Sequence, residues 1–252
     1  MRIVPLARGN AALPTLVCLP GAMCNPLVFA RSAAQTGLNA FALAWLEDEG
    51  AFDMASIANR IVEAVAGEGD IVIAGHSLGT PLAVLTTLAA RGRTDLRVKG
   101  LVLSNSGANT QGHGDASAIV RRIEQEWGEP MWKTFAERCF HTLPQGALLD
   151  EILAYPARLR SGAVAQAIRS QIETDLLPVL SQLPALPVAV VHGEYDVART
   201  LAHARELSGA IAGASLHVLP TGHTSCAEDP LAFADIARAV AVRAVSSARS
   251  TR

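Results

Sequence analysis

The pentapeptide Gly75-His76-Ser77-Leu78-Gly79 is the part of this sequence best suited to chemistry. It directly follows the apolar run 71–74 and directly precedes a helix-like segment. A G-x-S-x-G turn in that setting is a nucleophile elbow: it forces the serine into a strained backbone conformation with its hydroxyl exposed. The two glycines leave room for neighbouring backbone. The Leu78 amide, at the helix start, can donate to a developing oxyanion. Pro81 fits the first helical turn, where its missing N–H does no harm. The pentapeptide alone is common. Its placement between strand and helix is what gives it meaning.

A serine hydroxyl is a weak nucleophile and needs a base. Of the seven histidines, His76 lies inside the elbow and is expected to point away from the serine's face. His113 and His141 fall in a strand-poor helical stretch, His192 and His217 belong to strands, and His203 to a helix. His223 sits in Pro220-Thr221-Gly222-His223-Thr224, a loop just after the last apolar run. A lone histidine is more often a packed or surface residue, but a loop at a strand's C-terminal end is where a base must sit to reach Ser77. The acid that orients the imidazole is expected in His192-Gly193-Glu194-Tyr195-Asp196, after the run 188–191. Asp196 is the better candidate and Glu194 the lesser one.

These residues need a scaffold that brings strand ends together. Apolar runs at 16–19, 71–74, 101–103 and 188–191, an alternating run at 216–219 and an extended segment at 40–46 alternate with helical segments such as 55–66 and 78–91. Runs apolar on both faces suit parallel strands covered by helices on each side. The pattern is a mostly parallel, doubly wound α/β sheet. One stretch breaks it. From about 107 to 184 the chain is helical, with candidate helices at 117–127, 131–140, 147–153 and 163–176. The expected organisation is a core of 1–106 and 185–252 with a helical cap at 107–184 over the sheet edge where such folds bind ligands. Gly112-His113-Gly114 would be a flexible hinge within it.

Composition excludes several functions. The chain has 252 residues, half of them hydrophobic, so it can bury a large core. A net charge of −2 gives no pull toward nucleic acid. The only lysines are Lys99 and Lys133, and neither follows a glycine, which excludes a G-K-[ST] phosphate loop. Gly67-Glu68-Gly69 precedes a strand instead of following one, so it is no dinucleotide loop. Cys18, Cys24, Cys139 and Cys226 show no C-x-x-C spacing and read as reduced, mostly buried thiols. No metal and no organic cofactor is expected. The apolar stretch 13–23 is interrupted by Pro14, Pro20 and Gly21 and is too short to cross a bilayer. A soluble, cytoplasmic enzyme on a small-molecule substrate is expected, without nucleic-acid or membrane partners. The tail after Val240, with Arg243, Arg249 and Arg252, reads as a frayed, solvated end.

The chain order Ser77, Asp196, His223 resembles that of the α/β-hydrolase superfamily over essentially the whole length. The residues that carry the resemblance are GHSLG at 75–79, VVHGEYD at 190–196 and LPTGHTSCAEDP at 219–230. The loop Leu19-Pro20-Gly21-Ala22-Met23 falls where members have His-Gly and then the first oxyanion-hole amide. The resemblance thus implies Ala22 as one backbone donor, with Met23 possible in its place, and Leu78 as the other. Pro20 stands where the family's histidine is usual. LVLSNSGAN, ending at Asn109, is similar to the capped subgroup of enol-lactone hydrolases, carboxylesterases and haloperoxidase-like esterases that need no cofactor.

The resemblance implies an α/β-hydrolase fold, with the cap between the sixth and seventh strands of the family's scheme. It also implies hydrolysis of a carboxylic ester, or of a lactone or thioester, through an acyl-enzyme on Ser77. A lyase or C–C bond hydrolase on the same triad is one alternative, and a ligand-binding protein with little turnover is another. Haloalkane dehalogenase and epoxide hydrolase chemistry is disfavoured, because those relatives place Asp where this chain has Ser77. Trp127, Met131, Trp132 and Phe135 read as cap core first and, with Met23, as the lining of an apolar substrate pocket second. The cap's arginines, Arg121, Arg122, Arg138, Arg158, Arg160 and Arg169, are expected to be solvated, with a substrate carboxylate as the minority alternative.

Overall fold

The computed structural model describes residues 1–112 and 115–250, with side chains described as far as Ser246 in the last helix. His113, Gly114 and Arg252 lie outside the described residues, as does the side chain of Arg249. The expectations for the hinge at 112–114 and for these two arginines therefore fall beyond what is described.

Seven strands form one sheet in the order β1-β3-β2-β4-β5-β6-β7. They are β1 (Arg2–Ala7), β2 (Thr15–Leu19), β3 (Ala40–Ala44), β4 (Gly69–His76), β5 (Leu96–Ser104), β6 (Val188–Gly193) and β7 (Ser215–Leu219). Every pairing is parallel except that of β1 with β3, which is antiparallel. The six expected strands are present. β1 was not expected, because Pro5 interrupts its pattern and its residues are only partly buried. An edge strand tolerates both features, since one side of its ladder has no partner to satisfy.

Helices cover both faces. The first are α1 (Ala30–Thr36), α2 (Met54–Ala64) and α3 (Gly79–Ala89). Between β5 and β6 come α4 (Ala118–Glu126), α5 (Glu129–Arg138), α6 (Ala147–Ala154), α7 (Ser161–Glu173) and the single turn α8 (Leu177–Leu180). The chain closes with α9 (Leu201–Ala210), the short α10 (Ser225–Glu228) and α11 (Pro230–Ser250). Alternate residues of each strand feed opposite cores. Leu16, Cys18, Val72, Ala74 and Val102 pack with Phe29, Phe233, Ala237 and Val240 of the α1/α11 side. Val17, Leu19, Ile71, Ile73, Leu101 and Leu103 pack with Ile57 and Ile61 of α2 and with Leu82 of α3. That two-sided burial is why the central strands read as continuous apolar runs.

The C-terminal segment departs from the frayed end expected. Phe233, Ile236, Ala237, Val240, Ala241 and Ala244 form a buried stripe at helical spacing, so α11 continues past Val240 because its face is still in contact with the core. The helices between β5 and β6 share the first core through Val120, Ile123, Met131, Val164 and Ile168. Among the described residues no helix is long and apolar enough to cross a membrane.

Candidate active site

The parallel strands point their C-terminal ends to one edge, and the residues with chemical potential follow those ends. The loop 20–24 follows β2, Ser77 follows β4, Asn105 follows β5, Asp196 follows β6 and His223 follows β7.

Ser77 has φ of 53°, in the left-handed region that a non-glycine residue seldom occupies. The turn is held from both sides. The Ser77 amide donates to the Ser104 carbonyl at 2.8 Å, and the Thr80 amide donates back to the Ser77 carbonyl at 3.0 Å. Thr80 Oγ1 donates to the Gly75 carbonyl at 3.0 Å. The glycines are required by contact. A Cβ on Gly75 would stand 2.3 Å from the Gly79 carbonyl oxygen, and one on Gly79 would stand 2.0 Å from that of Leu19.

Ser77 Oγ lies 2.9 Å from His223 Nε2, and His223 Nδ1 lies 2.8 Å from Asp196 Oδ2. The Asp196 side chain is fully buried. Burial alone would raise its pKa, but the His223 charge and hydrogen bond, the Arg199 amide and Asn105 outweigh this and hold it down to about 2. An ionised carboxylate only accepts, so the ring proton belongs on Nδ1. Nε2 is then the acceptor for the Ser77 hydroxyl. Oδ1 accepts from the Ala198 and Arg199 amides at 2.8 and 2.9 Å. Glu194 is exposed and has no contact with His223 among the described hydrogen bonds, so of the two acids the structure brings Asp196 to the histidine.

Three residues that the sequence did not single out for this site hold it together. Asn105 is fully buried with φ of 52°. Its Nδ2 donates to Asp196 Oδ2 at 3.2 Å and to the Gly222 carbonyl at 3.1 Å, tying the acid loop to the histidine loop. Glu228 accepts from the Gly222 amide through Oε1 and from the His141 and Thr142 amides through Oε2, each at 3.0 Å. Thr224 Oγ1 donates to the Cys139 carbonyl at 2.9 Å, so the histidine loop is fastened to the end of α5. A left-handed asparagine at a strand end was the one available sequence signal, and Asn tolerates that conformation better than most residues.

The loop after β2 lies directly over Ser77. A Cβ on Gly21 would stand 2.9 Å from that of Ser77. The Cys24 amide closes a turn onto the Gly21 carbonyl, with Ala22 and Met23 at its centre and Met23 at φ of 54°. Trp45 Nε1 donates to the Pro20 carbonyl at 2.9 Å, which anchors the loop. Among the described residues no acceptor takes the amide of Ala22, Met23 or Leu78.

His76 does not point away as expected. Its ring lines a cavity together with Ser77, 5.1 Å from the His223 ring. Burial, assisted by the His223 charge, pushes its pKa down to about 3, so it stays neutral beside His223.

Two hollows meet at Ser77. A narrow, largely apolar cavity of about 30 Å³ is lined by Met23, Trp132, Phe135 and Phe140 among others. A cleft of about 420 Å³ extends between Ser77, His223 and the helices α4, α5 and α7. Of the expected pocket residues, Met23, Trp132 and Phe135 are lining, whereas Trp127 and Met131 are not. Met131 is buried in the core, and Trp127 packs edge-on against Trp132 at 5.4 Å, so it backs the wall instead of forming it. Cys24 and Cys139 also line the cavity, but burial pushes both thiols up, Cys24 to about 12, so neither is a thiolate nucleophile. Among the described residues no three His, Cys, Asp or Glu side chains converge as a metal site requires.

Comparison with known proteins fits this geometry. The structure is similar over 95% of this chain and 92% of the other to a hydrolase from Pseudomonas aeruginosa PA01, with 18% identity and a TM-score of 0.77. It is similar over 97% and 95% to the enol-lactonase from Burkholderia xenovorans LB400, with 20% identity and a TM-score of 0.76. It is similar over 92% of both chains to an esterase from Exiguobacterium antarcticum, with 17% identity and a TM-score of 0.77. No curated protein matches the sequence. The model of the alpha/beta hydrolase family matches residues 16–236, a span that contains the serine turn and both loops that meet it, and the chain belongs to that family.

Proposed function

We propose that this protein is a serine hydrolase that cleaves a carboxylic ester, lactone or thioester of a small or medium substrate. The observation that carries this is the unbroken chain Ser77 Oγ, His223 and Asp196, with contacts of 2.9 and 2.8 Å at the mouth of a cleft. Ser77 Oγ attacks the carbonyl carbon as its proton passes to His223 Nε2. The oxyanion accepts from the backbone amides of Leu78 and Ala22, with Met23 as the alternative to Ala22. The bond to the leaving alcohol or thiol then breaks, and that group takes the proton from Nε2. Water next attacks the acyl-Ser77 carbonyl, gives a proton to Nε2, and Ser77 leaves with that proton restored. Asp196 holds the imidazole in the productive tautomer throughout.

In this reading the helices of 107–184 act as the cap and shape the substrate space. A fluorophosphonate probe should label Ser77 and leave Ser77→Ala unlabelled. A panel of 4-nitrophenyl esters, thioesters and lactones then separates the three leaving groups. Neither labelling nor turnover of any of them would overturn the proposal.

A further inference from the structure

The cleft beside Ser77 is cationic, although the whole chain carries a net charge of −2. Among the described residues Arg122, Arg138 and Arg199 line it, against the single acid Asp115. Asp115 is already paired with Arg121, and Arg122 with Glu126 at 3.0 Å. Arg199 stands apart from these. It is only 8% exposed, yet among the described residues no carboxylate oxygen lies within 4.0 Å of its guanidinium. Its Nη1 donates to the Asn109 carbonyl at 3.3 Å. A guanidinium carries five N–H donors in a rigid fork, so most of that fork is unspent.

Asp196 cannot complete it. Both of its oxygens are occupied, Oδ1 by the Ala198 and Arg199 amides and Oδ2 by His223 and Asn105. The Asp196 charge does favour the protonated Arg199, but burial works against it. A buried charge without a facing partner is costly, and a ligand that supplies the partner removes the cost. Arg138 is on the same wall and among the described residues pairs with no carboxylate either; its Nη2 donates to the Val197 carbonyl at 3.5 Å.

We propose that the substrate carries a carboxylate on one arm, bound by Arg199 with Arg138, while its other arm enters the apolar cavity lined by Met23, Trp132 and Phe135. A guanidinium fork fits a carboxylate bidentately, which fixes the scissile carbonyl at a set distance from the anchor. The proposal rests on the serine-hydrolase reading and names its substrate class.

Two matched pairs test it, one for each arm. The acyl pair is the mono-4-nitrophenyl ester of adipic acid against that of adipamic acid. The alcohol pair is 3-carboxyphenyl butanoate against 3-carbamoylphenyl butanoate. In one pair the acid should exceed the amide in kcat/KM by roughly tenfold to a hundredfold, the discrimination expected of a charge-assisted contact. That ratio should shrink as salt rises, through KM. Arg199→Met should cut the ratio at least tenfold, and Arg199→Lys should keep part of it. Should Arg199→Met fail to fold, the salt series on the wild type decides. Acid-to-amide ratios near one in both pairs, or a preference that survives Arg199→Met, would overturn the inference. Fluorophosphonate labelling and turnover of the neutral amides, neither of which needs an acidic arm, report on the serine mechanism separately.

Discussion

Replacing Asp196 by Asn exchanges one of four-way acceptance for a donor, and the geometry says which way the damage goes. The carboxylate takes N–H groups on both oxygens: two backbone amides on Oδ1, and His223 with Asn105 on Oδ2. An asparagine has one acceptor oxygen and one NH₂. If the oxygen stays with the Ala198 and Arg199 amides, the NH₂ faces His223 and donates to Nδ1. The ring proton must then sit on Nε2, and Nε2 can no longer accept from Ser77. If the amide flips, its NH₂ confronts two buried backbone N–H groups that lose their acceptor, at about 1–3 kcal/mol each. The first orientation also strands one donor, because the NH₂ then faces Asn105 Nδ2, but the second strands two, so the first is favoured by about 1–3 kcal/mol, less what the His223 contact returns. Most molecules should hold the wrong tautomer, the imidazolium also loses its counter-charge, and kcat should fall on the order of 10⁴-fold, as in other triads that lose this charge. Stopped-flow or steady-state turnover of 4-nitrophenyl butanoate measures the loss, and ¹⁵N NMR of the His223 ring reads the tautomer directly. A variant within tenfold of wild type, or one slowed but with the proton still on Nδ1, would refute this account. Glu194→Gln is the control and should be nearly silent, because Glu194 is exposed.

Ser77→Ala should abolish turnover while its melting temperature stays within a few degrees, since only a hydroxyl is removed; retained esterase activity would sink the proposed mechanism. Gly79→Ala should lower the melting temperature by several degrees, because its Cβ would meet the Leu19 carbonyl at 2.0 Å and overpacking costs about 1–3 kcal/mol or more. Glu228→Ala removes the acceptor of three amides that fix the histidine loop, and a displacement of His223 by even ~1 Å should cost up to ~100-fold in kcat; an unchanged kcat counts against its positioning role. Asp196 should also mark the acid limb of stability. Its pKa is lowered from 3.8 to about 2, so the carboxylate stabilises the fold above pH 3.8 and that contribution is lost as pH falls through about 2. The loss is on the order of 2 kcal/mol, and denaturant titrations at pH 5 and pH 2 should show it shrinking in Asp196→Asn.

The parts of this site that could be read in the sequence are those fixed by local chain geometry. A G-x-S-x-G turn after an apolar run must place its serine at a strand end, and Asp196 and His223 follow two other runs at the same edge. What escaped depends on contacts between segments far apart in the chain. Arg199 looks like an ordinary loop arginine until β6 and the 107–110 segment close around it. Glu228 looks like a helix-terminal acid until the end of α5 delivers the His141 and Thr142 amides to it. His76 was misjudged because strand alternation places it opposite Ser77. The elbow's positive φ breaks that alternation, and both side chains end at one cavity. Trp127 and Met131 carry the same apolar signal as Trp132 and Phe135. Helical spacing alone does not say which face of α5, or of the end of α4 at Trp127, turns toward Ser77.

These contacts also divide the labour within the molecule. The serine turn is held by backbone bonds to β5 and by glycine contacts with β2 and α3, none of which involves the helices of 107–184. His223 differs. Its loop is fastened on one side to Asn105 and on the other, through Glu228 and Thr224, to residues 139–142. Residues 139–142 directly follow the helix that supplies Trp132, Phe135 and Arg138 to the walls of the cavity and cleft beside Ser77. A shift of α5 that reshapes the pocket therefore pulls on His223, whereas Ser77 is insulated from it. Substitutions on α5 that change substrate preference should for that reason alter kcat as well as KM, and those in α4 or α7, which bear on the cleft without touching the histidine loop, should act mainly on KM.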